Sequence, residues 1–258
     1  MNERVVKHYD ALLFSGIADQ YYNNSGFVNF GLWDEHTKNA EQACNNLMDR
    51  LVSYIPDKKG NILDVACGKG GTTGYLLRYY TPENITAVNI SEKQLDTAMQ
   101  KAPGCKFMIA DAADLNFEDN SFDNIICVEA AFHFFTRKKF LQEAFRILKP
   151  GGRLVVSDVL MKDGAEKKMR TFHEENYLPD LSAYSALCKN IGFDETDIFD
   201  TTTLCWEGHY WNMIRYFHKK YLAHEFDMDT LKGILDNTYK IAAALKFYLL
   251  AVLKKKGR

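Results

Sequence analysis

His133 and Asp158 are the residues best suited to move a proton. Each follows an apolar run, residues 121–127 and 153–157 respectively, and groups just past the strands of an open parallel sheet gather where ligands bind. A histidine titrates near neutrality and can take a proton from a bound hydroxyl or ammonium group; a carboxylate can orient that ring or act itself. A second constellation, Asp64-x-Ala66-x-Gly68-x-Gly70, closes the apolar run Ile62, Leu63, Val65. Gly68, Gly70 and Gly71 let backbone pass close to a ligand because no side chain intervenes. The helical segment after them offers unpaired N–H groups to a polar partner. A dinucleotide fingerprint fails here, because the third glycine slot counted from Gly68 holds Thr73.

These groups need a sheet to hold them. Residues 62–65 read as a buried parallel strand, and 85–90, 107–111, 121–127 and 153–158 as its companions. Between them, 72–80 is helical, Ser91 caps a helix carrying Leu95, Ala98 and Met99, and a helix over 137–148 stops at Lys149-Pro150-Gly151-Gly152. Ahead of the sheet, residues 1–22 show a stripe of Val5, Val6, Tyr9, Leu12 and Leu13, followed by an aromatic cluster over 27–33 and a helix over 37–56. Beyond Met161 the pattern predicts a polar inserted helix over 163–176 and a helix from Pro179 to Gly192. A sixth strand over 193–203, an aromatic-rich stretch over 206–226, a helix over 229–244 and an antiparallel strand over 246–254 complete the chain. No internal repeat interrupts this order.

At 258 residues the chain can bury a full core, and one domain with embellishments is the default. A formal net charge of −2 gives no reason to expect nucleic acid or an anionic membrane as partner. The run Lys254-Lys255-Lys256 reads as a solvated tail. Cys44, Cys67, Cys105, Cys127, Cys188 and Cys205 are scattered without a C-x-x-C pair, which suits reduced thiols in a cytoplasmic protein. The polar opening residues 1–10 read as no signal peptide, and the apolar stretch 241–253 is too short to span a bilayer.

In order and spacing, the glycine loop, Asn89 after the second strand, Asp111 after the third, Ser121-Phe122-Asp123 and Leu148-Lys149-Pro150-Gly151-Gly152-Arg153-Leu154 resemble the class I S-adenosylmethionine-dependent methyltransferases over residues 61–158. The resemblance implies an α/β fold, a Rossmann-like doubly wound seven-stranded sheet, mostly parallel with an antiparallel last strand. It divides a single domain into an N-terminal helical lid (1–56), a cofactor-binding core (57–160) and remaining core with helical substrate-lid insertions (161–258). It implies S-adenosyl-L-methionine as cofactor, held by Asp64, Ala66, Cys67 and Gly68, by Asn89, Ile90 and Gln94 around the ribose, and by Asp111 and Ala112 at the adenine, with Glu129 and Trp33 completing the set. Asn89 departs from the family's carboxylate; its amide can accept and donate, without the strength of a charge-assisted bond. Asp111 read alone would close an Asx turn.

The Phe30-Gly31-x-Trp33 element is similar to one in small-molecule members, where an N-terminal helical segment closes over the cofactor. Phe30, Phe132, Phe134, Trp206 and Tyr210 are expected to wall an apolar or aromatic acceptor pocket, the alternative being packed core. Some small-molecule O-methyltransferases of similar sequence use a His and an Asp at the places of His133 and Asp158. The expected reaction is therefore methyl transfer to a small molecule, first to a hydroxyl and alternatively to nitrogen or carbon. A nucleotide-cofactor oxidoreductase and a non-catalytic partner protein on the same fold are the rival classes. No His/carboxylate cluster has ligand spacing, so no metal is expected, and a homodimer is among the expected assemblies.

Overall fold

The computed structural model describes residues 3–165 and 173–257. Its centre is a seven-stranded sheet: β1 (Ile62–Val65), β2 (Ile85–Asn89), β3 (Lys106–Ile109), β4 (Phe122–Val128), β5 (Leu148–Met161), β6 (Phe193–Asp200) and β7 (Leu245–Lys255). Spatial order is β3-β2-β1-β4-β5-β7-β6. β1 to β5 pair in parallel, while β7 runs antiparallel to both β5 and β6. The chain winds outward from β1 to β3, then crosses back to β4. The crevice beyond the carboxyl ends of β1 and β4 is thus the switch point where such sheets bind ligands.

Period-two alternation along the central strands feeds two apolar cores. Ile62, Ile126 and Val155 join one, and Leu63, Val65, Ile125, Cys127, Leu154 and Val156 the other. Helices α3 (Ala40–Ser53), α4 (Gly71–Leu76), α5 (Glu92–Lys101), α6 (Arg137–Ile147), α7 (Leu181–Ile191), α8 (Gly208–Leu222) and α9 (Met228–Ala244) surround them. Asn39, Ser91, Thr136, Asp180 and Asp227 each accept a backbone N–H at the start of α3, α5, α6, α7 and α9, as short polar side chains do at helix starts. No described helix is long and apolar enough to cross a membrane.

The expected elements shift in four places. The helix over 1–22 is two, α1 (Glu3–Leu13) and α2 (Ile17–Tyr21), because Gly16 takes φ +73° between them. Lys149–Gly152 does end a helix, but it bulges out within β5: pairing jumps from Phe122↔Leu148 to Asn124↔Arg153. The sixth strand stops at Asp200, because residues 203–207 already coil into the turn that leads to α8. Much of the helix expected over 163–176 lies outside the described residues, and its end, Glu174–Asn176, is a single turn of 3-10 helix.

Candidate active site

A cavity of about 530 Å³ opens at the switch point. It is lined by Val65, Ala66 and Gly68 at the end of β1, by Val88, Asn89 and Ile90 at the end of β2, by Ala110 to Asp114 after β3, and by Val128, Glu129, Ala130, His133 and Phe134 at and beyond the end of β4. α1 covers it with Val5, Val6, Tyr9 and Leu13, and Gln94, Val28, Phe135 and Lys139 complete the wall.

The glycine loop divides its work. Gly68 (φ +55°) borders the cavity, and a Cβ there would meet nothing within 4 Å, so the space above it is left for a ligand. Gly70 (φ +86°) faces the opposite way: a Cβ would lie 2.6 Å from the Cα of Ala98 on α5. Gly70→Ala is therefore expected to cost roughly 1–3 kcal/mol of stability, from left-handed strain and overpacking against backbone, read from urea denaturation midpoints. An unchanged midpoint would show that α5 can move away at no cost.

Asp64 sits beneath the loop and is not among the cavity-lining residues. Its Oδ2 accepts the Thr73 hydroxyl of α4 at 2.6 Å, and burial pushes its carboxyl up to about 7. Cys67 packs against Ala87, Leu95 and Ala98, with burial raising its thiol, so it fills space and is not reactive. Asn89 accepts from the Ile90 backbone N–H at 2.8 Å and donates to Gln94 Oε1 at 2.8 Å. Gln94 in turn donates to Asp10 at 2.7 Å, and Ser91 to the same Asp10 oxygen at 2.8 Å, so both amides are fixed and α1 is tied to α5. Asp111 lines the cavity and also closes an Asx turn onto the Ala113 N–H at 3.0 Å.

Glu129 (φ +53°) stands at the cavity wall, accepting from the Phe30 N–H and the Tyr248 hydroxyl, both at 2.9 Å. Burial pushes its carboxyl from 4.5 up to about 8. In that interval the folded chain holds a proton that the unfolded chain has released, so the group's contribution to stability falls as pH rises through the window and levels off above it. Asp64 adds a similar fall that ends near pH 7. Glu129→Gln keeps both acceptor contacts without the titration. Relative to wild type, its stability is expected to improve steadily from pH 5 to pH 8, read from denaturation midpoints; a constant gap between the two proteins would refute the assignment.

His133 ends a turn of 3-10 helix, Ala131–His133, and its Nε2 is hydrogen-bonded to the Tyr9 hydroxyl of α1, with ring centroids 5.0 Å apart. Tyr9 was legible only as one member of an apolar stripe, and nothing in its spacing separated it from core. Lys69, inside the glycine loop, carries no sequence signal of its role either. Buried in the glycine loop, it donates to the Leu13 carbonyl at 2.9 Å and pairs with Asp19, securing α1 and α2 over the cavity.

Several expected site residues stand elsewhere. Asp158 is 0% exposed, ion-paired to Arg137 Nε at 2.7 Å, and does not line the cavity, so it is not placed to take a proton from a ligand. Trp33 lies away from the cofactor side: its indole donates to the Phe30 carbonyl at 2.8 Å and it packs against Gly208. Phe30, Trp206 and Tyr210 form an aromatic cluster with the buried His209, behind Glu129 and off the cavity wall. Phe132 is buried against His133 with centroids 3.8 Å apart, which leaves Phe134 as the expected ring that does line the space. Most rings over 206–226 pack in or against the core, Trp206 and Phe217 buried and Tyr210, Tyr216, Tyr221 and Phe226 against them, while Trp211 is exposed. Among the described residues no group of three His, Cys, Asp or Glu is placed to hold a metal ion.

The donor set fits the nucleoside cofactor implied by the sequence: a glycine with open space above it, an amide pair at one edge, a carboxylate beside alanines for a purine, and a half-polar wall toward His133. Comparison with known proteins agrees. The family described as "Methyltransferase domain" matches residues 63–156. The chain is 34% identical over 164 residues to the 27-O-demethylrifamycin SV methyltransferase of Amycolatopsis mediterranei, covering 60% of this chain and 58% of that one. It is 30% identical over 197 residues to the O-methyltransferase rstn1 of Aspergillus nomiae, covering 70% of this chain and 87% of the relative. Against several curated relatives, then, the matched stretch is only about half their length. Among solved structures, the [4+2]-cyclase SpnF superposes with a TM-score of 0.76 at 19% identity over 98% of this chain and 96% of its own. A fold shared with a cyclase does not by itself carry a chemistry.

Proposed function

This chain belongs to the S-adenosylmethionine-dependent methyltransferases of class I, and from that premise we propose that it methylates a hydroxyl of an apolar or aromatic small molecule, with His133 as the base. The single observation carrying this reading is that His133 shares one cavity with Gly68, Asn89 and Asp111, under an apolar cover of Val5, Val6, Phe134 and Phe135. Bound S-adenosylmethionine supplies a methyl group already activated on a sulfonium, so the protein's part is alignment, exclusion of water and removal of the acceptor's proton. Gly68, Asn89, Ile90, Asp111 and Ala112 would hold the cofactor, and α1 shields the site from solvent.

The Tyr9 hydroxyl occupies the place at His133 Nε2 that an acceptor hydroxyl would take. When Tyr9 donates there, Nε2 is the unprotonated, basic nitrogen of a neutral ring, the state a general base requires. An incoming hydroxyl would replace that bond with its own, and Nε2 would take its proton. The same arrangement serves a nitrogen or carbon acceptor that must lose a proton, which is the second reading.

The discriminating experiment follows labelled methyl transfer from S-adenosylmethionine to a panel of phenolic, amine and isoprenoid acceptors, with and without a chelator. Transfer to phenols that survives chelation is expected. Transfer confined to amines or isoprenoids would replace the hydroxyl reading, and loss of all transfer on chelation would refute a metal-independent mechanism.

A further inference from the structure

The residue expected from sequence to be a base, Asp158, begins a buried polar relay that ends at His133. Its Oδ2 accepts from Arg137 Nε at 2.7 Å, and its Oδ1 from the Val159 N–H at 2.8 Å. The Arg137 guanidinium also donates to the Val159 carbonyl at 3.0 Å and to the Asn176 carbonyl. The Arg137 backbone N–H donates to Asn176 Oδ1 at 2.7 Å, which fixes the side-chain amide with its nitrogen pointing away. That nitrogen donates to the carbonyls of Phe132 and Phe134, at 3.1 and 2.8 Å, the two residues flanking His133. Asp158, Arg137 and Asn176 are 0%, 1% and 3% exposed. Charges at that depth are costly unless every partner is in place, so the relay tolerates one arrangement rather than several.

We propose that Asn176, anchored by the Arg137–Asp158 pair, is a positioning residue that sets where the His133 imidazole stands in the cavity. Asn176 is not among the cavity-lining residues; it grips the peptide on each side of His133. A turn held at both flanking carbonyls keeps its central side chain in register, and misplacement of a reacting group by about 1 Å can cost on the order of a hundredfold in rate. This inference rests on His133 as the base, and its test separates the two.

Asn176→Asp removes both donors while keeping shape. Its readout is the imidazole of His133 in the S-adenosylhomocysteine complex, followed by nitrogen and carbon NMR across pH and assigned by the signal that His133→Ala lacks. The apparent pKa of His133 is expected to move by roughly half a unit or more, with signals of the exposed His36 and His218 unchanged. Turnover with a phenolic acceptor is expected to fall roughly tenfold in the wild-type background and by less than about twofold in His133→Ala, with the affinity for S-adenosylhomocysteine preserved. Where Asn176→Asp does not fold, Asn176→Ser is read the same way. An unmoved His133 signal, or an equal loss of turnover in both backgrounds, overturns the positioning role alone. Wild-type turnover in His133→Ala overturns the base assignment and the relay's purpose with it.

Discussion

Arg137→Met is expected to lower stability by about 3–5 kcal/mol, among the largest effects a single substitution in this chain can have. Arg137 and Asp158 form an ion pair at 2.7 Å with neither side chain more than 1% exposed. Taking the guanidinium away leaves a carboxylate in protein interior with one backbone N–H as its remaining partner among the bonds described above, and it also strips the Val159 and Asn176 carbonyls of a donor. The double substitution Arg137→Met with Asp158→Leu is expected to recover most of the loss, because removing both charges also removes the desolvation that the pair has to offset. Urea denaturation with an unchanged slope checks this. A loss under 1 kcal/mol, or a double variant as unstable as the single one, would show that water reaches the pair.

His133→Ala is expected to slow turnover at least tenfold while the affinity for S-adenosylhomocysteine stays within about twofold of wild type. The split follows from position. Gly68 and Asp111 follow β1 and β3 and Asn89 ends β2, while His133 comes from the turn after β4. The proposed cofactor contacts and the proposed base therefore stand on different elements. The rise of kcat/KM with pH that reports a base titrating near neutrality should vanish in the variant. Unchanged turnover would remove His133 from the reaction.

The central strands were legible because parallel strands buried on both faces, such as β1, β2 and β4, read as short apolar runs, and the glycine and proline turns between elements are explicit. The placing of Asn89, Asp111 and His133 on the cavity wall was legible for a related reason: Asn89 ends β2, and Asp111 and His133 follow β3 and β4 within a few residues, on the side that the winding dictates. Asp158 shows the limit of that argument. It also ends the run that places it at the switch point, yet the side chain of a residue in a central strand points to one face or the other, and here it meets a guanidinium from α6 in the interior. Arg137 reads in sequence as one of three consecutive basic residues at a helix start, and nothing local distinguishes the buried one. Tyr9 and Lys69 were illegible because their partners, His133 and Asp19, are distant in sequence, and only the docking of α1 and α2 brings them together. The aromatic residues misled in the other direction: Phe30, Trp206 and Tyr210 form packing behind Glu129, whereas Phe134 lines the cavity beneath Val5, Val6, Tyr9 and Leu13 of α1.

The proposed chemistry requires the cofactor to bind in the cavity above Gly68, with Asp111 on its wall. Calorimetric titration of S-adenosylhomocysteine into the wild-type protein and into Asp111→Ala addresses that directly. One equivalent bound by wild type, at least tenfold weaker binding by Asp111→Ala, and equal melting temperatures for the two unliganded proteins are expected. No heat with wild type, or equal affinity for both proteins, would contradict it.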